Sequence, residues 1–412
     1  MRTLLLLAFG AAVALPAILA LPPDDEGLAI EIATTKFQQA ALAVGQYPFW
    51  DPLSGFGAPQ PLSESLIFHP FLLLAAVFPL ATAIGLLYLL QVWVAVFAVW
   101  GCCRHLGLRR PTAALCTVTF ALSSSAVEYL NGDFWPSVMV GWSLSPLLLL
   151  LVLKLFDARS RSLRLACSLG AGVCAALMLL DGHAGAFPYL ALGFVAFFAG
   201  EWRRVRQLWP WLLLALATFV LGIATKLLDV GLEAAREPSA PRLQIHYGFD
   251  LWRLFFYPLH SPFGAPAAPP DRLLAIGGPF ALLILLGLRR ATGRYVNGLR
   301  LVVIVTFAAW FVPVHLISVL SGNFLTRDPL ILFGALLAGL MLEQLWREWP
   351  ARRNLLLGAS ILQVLVLVVG FWPSYHSGLQ RWRDFRGGDT SASLKGSLEN
   401  LPVYRYFEGL PR

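Results

Sequence analysis

The 412-residue chain is 58% hydrophobic and only 13% charged, with a mean hydropathy of +0.69. Soluble domains carry about 25% charged residues, so this composition excludes an ordinary soluble protein and predicts a membrane protein. The net charge of +8 would suit nucleic acid binding. It is concentrated in short loops between apolar segments, which indicates membrane topology and no nucleic-acid partner.

Eleven apolar segments approach the length of about 20 residues that a transmembrane helix needs. We place them at residues 3–21, 80–102, 112–130, 137–154, 165–181, 185–200, 208–228, 273–288, 300–319, 329–346 and 354–372. The predicted fold class is therefore an all-α polytopic integral membrane protein. Its transmembrane helical domain covers residues 1–372, and residues 373–412 are expected to form an outward-facing, poorly ordered polar tail.

The first segment could be a signal peptide, but Leu21-Pro22-Pro23 makes cleavage after Ala20 unfavourable, so we expect an uncleaved helix. The later loops then alternate in charge. Loops on the side of Arg2 contain 18 Lys or Arg and four Asp or Glu, whereas the opposite side contains 13 and 19. By the positive-inside rule the basic side is cytoplasmic. We therefore predict a multi-pass protein of the inner (plasma) membrane, with its N-terminus cytoplasmic and its C-terminus outside.

The first outer loop, residues 22–70, is the stretch that hydrophobicity does not explain. It begins with the acids Asp24, Asp25 and Glu26. The apolar residues of 27–44 then recur every three or four positions, which predicts an amphipathic helix lying on the membrane surface. Residues 45–61 contain so many Gly and Pro that we expect no regular element there. Residues 66–78 are expected to be a short surface-lying or re-entrant piece, because Pro70 and Pro79 interrupt them.

Three further outer segments carry polar residues. Spans three and four are joined by the turn 131–136, which contains Asp133, and spans five and six by the turn 181–185, which contains His183. Residues 229–272 form the second long outer loop, with a predicted interfacial helix at 249–259. All five cysteines lie in or beside spans, with no disulfide framework or zinc-ligand spacing.

The order of features at the start of the chain is distinctive. One apolar helix is followed directly by acids, by an amphipathic outer helix and then by the sequence GQYPFWDPLSGFGAP, whose pattern is set by Gly45, Tyr47, Pro48, Trp50, Pro52, Gly55, Gly57 and Pro59. This order resembles the GT-C superfamily of polytopic glycosyltransferases and, within it, the YfhO-like membrane proteins. The resemblance covers roughly residues 1–210.

The resemblance implies a GT-C-like fold and the transfer of a sugar from a polyprenyl-phosphate donor to a cell-envelope acceptor on the outer face of the membrane. It also implies that an acidic residue after the first span is the catalytic base. Asp24 and Asp25 fit that position. The alternative for both residues is that they cap the next helix or solvate the loop.

Transfer from a lipid phosphate also needs cations and groups that hold the sugar. The candidate phosphate-binding residues are Lys36, Arg242 and Arg253, although Lys and Arg at this level also extend toward lipid headgroups without binding substrate. Trp50 could stack on a sugar ring, and Asp133 and His183 lie in outward turns beside the predicted site. No metal-ligand motif is present, so the cofactor is left open and a divalent metal stays an alternative.

Two other classes of function fit the same pattern. A transporter or flippase of a lipid-linked substrate would also be polytopic, although it usually has ionisable residues near mid-span and paired repeats. A non-catalytic subunit would instead anchor a membrane-protein partner through its outer loops. In every case the expected partners include membrane lipids, and for the enzyme a lipid-linked sugar donor.

Overall fold

The computed structural model describes residues 2–19, 80–123, 136–180, 187–224, 277–311 and 327–387, together with a few residues of the first outer loop. Eleven α-helices lie in these ranges. They are α1 (Arg2–Leu19), α2 (Leu80–His105), α3 (Arg110–Ala121), α4 (Pro136–Asp157), α5 (Arg161–Leu180), α6 (Phe187–Gly200), α7 (Trp202–Gly222), α8 (Gly278–Arg290), α9 (Val296–Phe311), α10 (Arg327–Glu348) and α11 (Arg353–Gly387).

The helices correspond one to one with the eleven predicted spans, so the prediction of an all-α polytopic membrane protein is confirmed. Six of them are long and apolar enough to cross a membrane by themselves, and three more are shorter apolar helices. The described parts of α3, α6 and α8 contain only 12, 14 and 13 residues. At 1.5 Å per residue these helices cover about 18–21 Å, which is less than the hydrocarbon thickness of about 30 Å.

Three sequence predictions need correction. The helix of the third span ends at Ala121 rather than continuing to residue 130, because the Leu122 and Ser123 N–H groups close its last turn. α11 continues to Gly387, so the first part of the predicted tail is helical rather than poorly ordered. The Gly/Pro-rich loop does contain a regular element, since Trp50–Asp51 (β1) pairs antiparallel with Ala58–Pro59 (β2).

One large apolar core joins most of the described helices. α2 packs against α1, α3 and α4, α4 packs against α5, and α10 packs against α3, α8 and α9. The rings of Phe120 in α3 and Trp142 in α4 stack at 5.0 Å within this core. In contrast, only 6% of the apolar stretch of α7 is buried. This helix packs chiefly against α5, so most of its surface faces outward from the bundle.

Helices α6 and α9 approach closely because glycines face each other. A Cβ on Gly200 would lie 2.6 Å from both the carbonyl oxygen of Asn297 and the Cα of Gly298. A Cβ on Gly298 would lie 2.7 Å from the ring of Phe197. Since the obstructing atoms at Gly200 belong to backbone, the two helices would have to separate to admit a side chain.

Gly200→Ala is therefore expected to destabilise the fold by about 1–3 kcal/mol, the usual range for overpacking. The matched control is Gly358→Ala in α11, where a Cβ meets nothing within 4 Å. There the substitution is expected to be neutral or stabilising, because Ala favours a helix over Gly. Thermal unfolding in detergent measures both variants, and equal melting temperatures for the two would contradict the close approach.

The loops rich in Lys and Arg meet at one end of the bundle, which we call the basic end; it is formed by residues 104–110, 157–161, 200–206, 289–296 and 347–353. Asp157 is a central acceptor there. Its carboxylate lies 2.8 Å from Nε2 of His105, pairs with Arg294, and lies 3.9 Å from Nη1 of Arg204. These contacts join α2, α4, α7 and the loop before α9, so they confirm that the basic loops lie on one side.

Tyr295 completes this part of the basic end. It is the one non-glycine residue with positive φ, at 63°, among the described residues. Such a conformation costs about 1–3 kcal/mol and persists only where surrounding contacts impose it. The buried Tyr295 ring makes such contacts. The guanidinium of Arg204 lies 4.5 Å from the centroid of this ring, and the centroid of the Phe156 ring lies 5.9 Å from it. Burial and the nearby Asp157 carboxylate raise the pKa of the Tyr295 phenol, so it stays neutral.

A second carboxylate fixes α3 against α10. Glu343 has a side chain that is 5% exposed, and its Oε1 lies 2.5 Å from Nε of Arg109. The hydroxyl of Thr112 and the backbone N–H of Arg109 donate to its Oε2 at 3.0 and 3.3 Å. Arg347 lies 3.7 Å away on the exposed side. Both Asp157 and Glu343 thus have cationic partners, as buried acids require.

Candidate active site

Of the predicted site residues, the structure describes Trp50. Trp50 lies in β1, where its backbone pairs with Pro59. The other seven are outside the described residues, so their predicted roles stay predictions; they are Asp24, Asp25, Lys36, Asp133, His183, Arg242 and Arg253. The predicted amphipathic helix at 27–44 and the second long outer loop also lie largely outside the described ranges.

The helix ends that carry these segments are described and belong to neighbouring helices. α1 ends at Leu19, before the first outer loop, and α2 begins at Leu80, after it. α4 begins at Pro136, and α5 ends at Leu180. Because α1 packs on α2, α2 on α4 and α4 on α5, the three loops that contain the predicted acids and His183 start from adjacent positions at the same end.

Two short strands pair within the sequence motif that carries the family resemblance. Trp50 pairs with Pro59 and Asp51 with Ala58 in antiparallel register. The motif thus includes a short antiparallel strand pair.

Asp328 is a candidate that sequence reasoning missed. It lies in the first turn of α10 and is 2% exposed. A helix N-terminus favours a carboxylate, but an ionisable residue buried at membrane depth is also a functional candidate by default. Asp328 directly precedes the predicted span at 329–346, and hydropathy alone leaves it in the loop before that span.

A polar contact lies deeper in the bundle, below the start of α8. The side-chain amide of Gln363 in α11 donates to the hydroxyl of Thr119 in α3 at 3.2 Å, and its oxygen accepts the Phe280 N–H at 3.3 Å. Gly277 has φ +88°, and a Cβ there would lie 2.5 Å from this amide oxygen. Gln363 therefore caps α8 and joins three helices, which is a structural role.

No group of three or more His, Cys, Asp or Glu side chains that could hold a metal ion occurs within the described ranges. All five cysteines are buried and free. The described residues thus offer a helical scaffold, a short pair of strands and, at the end of α10 away from Glu343, the buried carboxylate of Asp328.

No family model and no curated protein matches the sequence. Solved structures do match the fold. An arabinofuranosyltransferase AftD from Mycobacteria superposes with a TM-score of 0.57 over 90% of this chain, with 21% identity. The oligosaccharyltransferase of Archaeoglobus fulgidus superposes with a TM-score of 0.51 over 92% of this chain, with 14% identity. Both are membrane glycosyltransferases of the GT-C superfamily.

The chain has a GT-C fold. The predicted fold family is thereby confirmed, while the narrower YfhO-like resemblance stays a prediction. The chain spans 27% of the mycobacterial protein and 56% of the archaeal one. A further structure of the archaeal protein, AglB, contains an inhibitory peptide and a dolichol-phosphate; it superposes with a TM-score of 0.50 at 14% identity, over 92% of this chain and 56% of AglB.

Proposed function

We propose that this GT-C protein is a glycosyltransferase that moves a sugar from a polyprenyl-phosphate donor to a cell-envelope acceptor on the outer face of the membrane. The observation that carries the proposal is the fold, which follows two glycosyltransferases over nine-tenths of the chain. The dolichol-phosphate bound to AglB supports a lipid-phosphate donor. At the identities observed, the fold alone is shared, so activity and donor belong to the proposal.

Chain connectivity supports a common site for the predicted residues. A chain extends by at most about 3.6 Å per residue. Asp133 precedes the first residue of α4 by three positions, and His183 follows the last residue of α5 by three, so each lies within about 11 Å of its helix end. Asp24 follows α1 by five positions, a reach of about 18 Å. α1 packs on α2, α2 on α4 and α4 on α5, so these reaches allow one cleft to include all three residues.

The chemistry assigns different roles to these residues. Asp24 or Asp25 would take the proton from the acceptor, since a positioned carboxylate is a common general base. The acceptor oxygen forms a bond to the anomeric carbon of the sugar as the bond from that carbon to the phosphate oxygen breaks. Lys36, Arg242 and Arg253 would balance the charge of the polyprenyl phosphate, which leaves with the electron pair of the broken bond. Trp50, on β1, would stack on the sugar ring, and Asp133 and His183 would bind its hydroxyl groups.

The fate of the sugar donor distinguishes an enzyme from a flippase and from a non-catalytic subunit. Purified protein would be reconstituted in liposomes with a polyprenyl-phosphate sugar and membrane extract as the source of acceptor. The proposal predicts release of polyprenyl phosphate with the sugar transferred. A flippase would move the donor between leaflets without consuming it, and a non-catalytic subunit would do neither; either result would contradict the proposal.

The orientation of the bundle is tested separately. We propose that the basic end faces the cytoplasm, because its loops hold most of the Lys and Arg. Single cysteines placed in 155–163 or 289–298 are then expected to be shielded from impermeant thiol reagents in intact cells. Cysteines placed in 235–245 or 385–395 are expected to react. The five native cysteines are buried, so the background is low. Labelling at 155–163 would contradict this orientation.

A further inference from the structure

The start of α7 carries two arginines that the fold does not use. Arg203 and Arg206 are exposed, and neither has an ion pair or a hydrogen bond from its side chain to any of the described residues. Their neighbour Arg204 differs, since its guanidinium lies 3.2 Å from the Glu201 carboxylate and 3.9 Å from that of Asp157. The two positive charges of Arg203 and Arg206 are therefore left for a partner outside the bundle.

Two tryptophans flank Arg206 on α7. Trp202 and Trp209 are both more than half exposed, and they precede and follow Arg206 by four and three residues. Helix neighbours at this spacing lie on one face, with Arg203 beside them. We call these four residues the α7 cluster. Guanidinium and indole N–H groups only donate hydrogen bonds, so the α7 cluster fits a negatively charged partner that accepts them.

The same face of α7 continues as an apolar stripe. Leu213 and Val220 follow Trp209 by four and eleven residues, and both are exposed. The opposite face packs on α5, where a Cβ on Gly222 would lie 2.8 Å from the Cβ of Ala176. The outward face of α7 therefore has a cationic and aromatic part at the basic end and an apolar part beyond it.

The dimensions of these two parts match those of a phospholipid. The helix rises by about 10 Å from Trp202 to Trp209. A headgroup layer is about 5–8 Å thick beside a hydrocarbon core of about 30 Å. Tryptophan is enriched at the boundary between the two, and basic side chains at this level attract anionic lipids. A phospholipid beside α7 would have its phosphate at the level of Arg203 and Arg206 and an acyl chain along Leu213 and Val220.

We propose that the α7 cluster binds one anionic phospholipid, with both arginines on the phosphate and the two indole N–H groups on phosphate or ester oxygens. Charge complementarity selects an anionic lipid over a zwitterionic one, whose ammonium group would need an acceptor of its own. The adjacent acid, Glu201, already accepts from Arg204 and from the Gly298 N–H. The bound lipid would also hold α7 in place, since this helix packs chiefly against α5 alone.

The test is the double variant Arg203→Gln/Arg206→Gln. Delipidated protein in detergent is titrated with phosphatidylglycerol, whose binding to the folded state raises the melting temperature. The double variant is expected to need about 30-fold more phosphatidylglycerol for half of the full rise, because each arginine near an anionic lipid contributes about a five-fold change in affinity. Without lipid it should melt with the wild type, since neither side chain has a partner in the described fold.

Arg289→Gln/Arg290→Gln is the matched control. It removes two exposed charges from the same end of the bundle, at the end of α8, a helix with exposed leucines but no tryptophan. This variant is expected to change the half-saturating amount of phosphatidylglycerol by less than about two-fold. Equal changes in the two double variants would indicate attraction to surface charge in general and overturn the assignment to the α7 cluster.

Two other ligands test the chemistry of the bound molecule. Phosphatidylcholine has the same phosphate and acyl chains but carries an ammonium group, so it is expected to stabilise the wild type far less than phosphatidylglycerol does. Equal stabilisation by both lipids would reduce the site to apolar contact and overturn the proposal. Inorganic phosphate is expected to leave the melting temperature unchanged, and stabilisation by it would indicate a simple anion site instead.

A second copy of the chain on this face is the remaining occupant to separate. Leu213→Cys places a thiol in the middle of the apolar stripe, and the five native cysteines are buried. Mild oxidation of native membranes is expected to give no disulfide-linked dimer of this variant. A linked dimer in high yield would place protein instead of lipid against α7 and overturn the proposal.

Discussion

Asp24→Asn or Asp25→Asn is expected to reduce sugar transfer by about 10²–10⁴-fold, the range that general acid–base groups contribute. The change removes a proton acceptor and preserves the shape of the side chain. Both residues lie in the loop between α1 and α2, and these two helices pack directly against each other. Because the amide keeps the size of the carboxyl group, the melting temperature is expected to stay close to that of the wild type.

Glu26→Gln is the matched control for this pair. It removes the same charge from the adjacent position, where we expect an acid of the first helical turn and not a base. Transfer should survive in this variant. If Asp24→Asn and Asp25→Asn transfer sugar as well as Glu26→Gln does, the acids are caps and solvating charges, and the proposed base must lie elsewhere, with Asp328 the next residue to change.

Arg109→Ala is expected to destabilise the folded protein by about 1–3 kcal/mol. It removes the closest partner of Glu343, whose side chain is 5% exposed. The loss stays below the roughly 3–5 kcal/mol of a fully buried ion pair, because the Arg109 side chain is 52% exposed and water can reach the vacated position. The Arg109 backbone N–H and the Thr112 hydroxyl still donate to the carboxylate, and Arg347 stays 3.7 Å away.

Arg347→Ala is the comparison for this variant. The Arg347 side chain is 71% exposed, and pairs of this kind contribute less than about 1 kcal/mol. Thermal unfolding in detergent should therefore give clearly different melting temperatures for the two variants. Arg109→Lys is expected to fall between them, because it restores the charge but not the stacking of the guanidinium on the Trp346 ring. Similar melting temperatures for Arg109→Ala and Arg347→Ala would show that Glu343 does not depend on a buried pair.

The fold could be predicted from the sequence because hydropathy locates the helices and loop charge locates their ends along the whole chain. Each apolar run of adequate length became a helix, and the basic loops met at one end, where Asp157 and Glu343 join them. The ends of helices were less predictable. The apolar sequence continues past Ala121, but α3 stops there, and α11 continues through polar residues to Gly387. Hydropathy carries no information on either event.

The site was predicted only in part, since sequence patterns identify reactive residue types more readily than how deeply a side chain is buried. The acids of the first outer loop are visible because they interrupt an apolar region. Asp328 is not visible in the same way, because only the boundary of α10 shows that its carboxylate is buried in the first turn of that helix.

The proposed function is glycosyl transfer in the building of a cell-envelope glycan. The most direct measurement compares the envelope glycans of cells with and without the gene, with both the wild type and the double variant Asp24→Asn/Asp25→Asn restored at equal protein levels. We predict that one glycan loses a sugar in the deletion strain, that the wild type restores it and that the double variant does not. Identical glycans in all four strains would contradict the account.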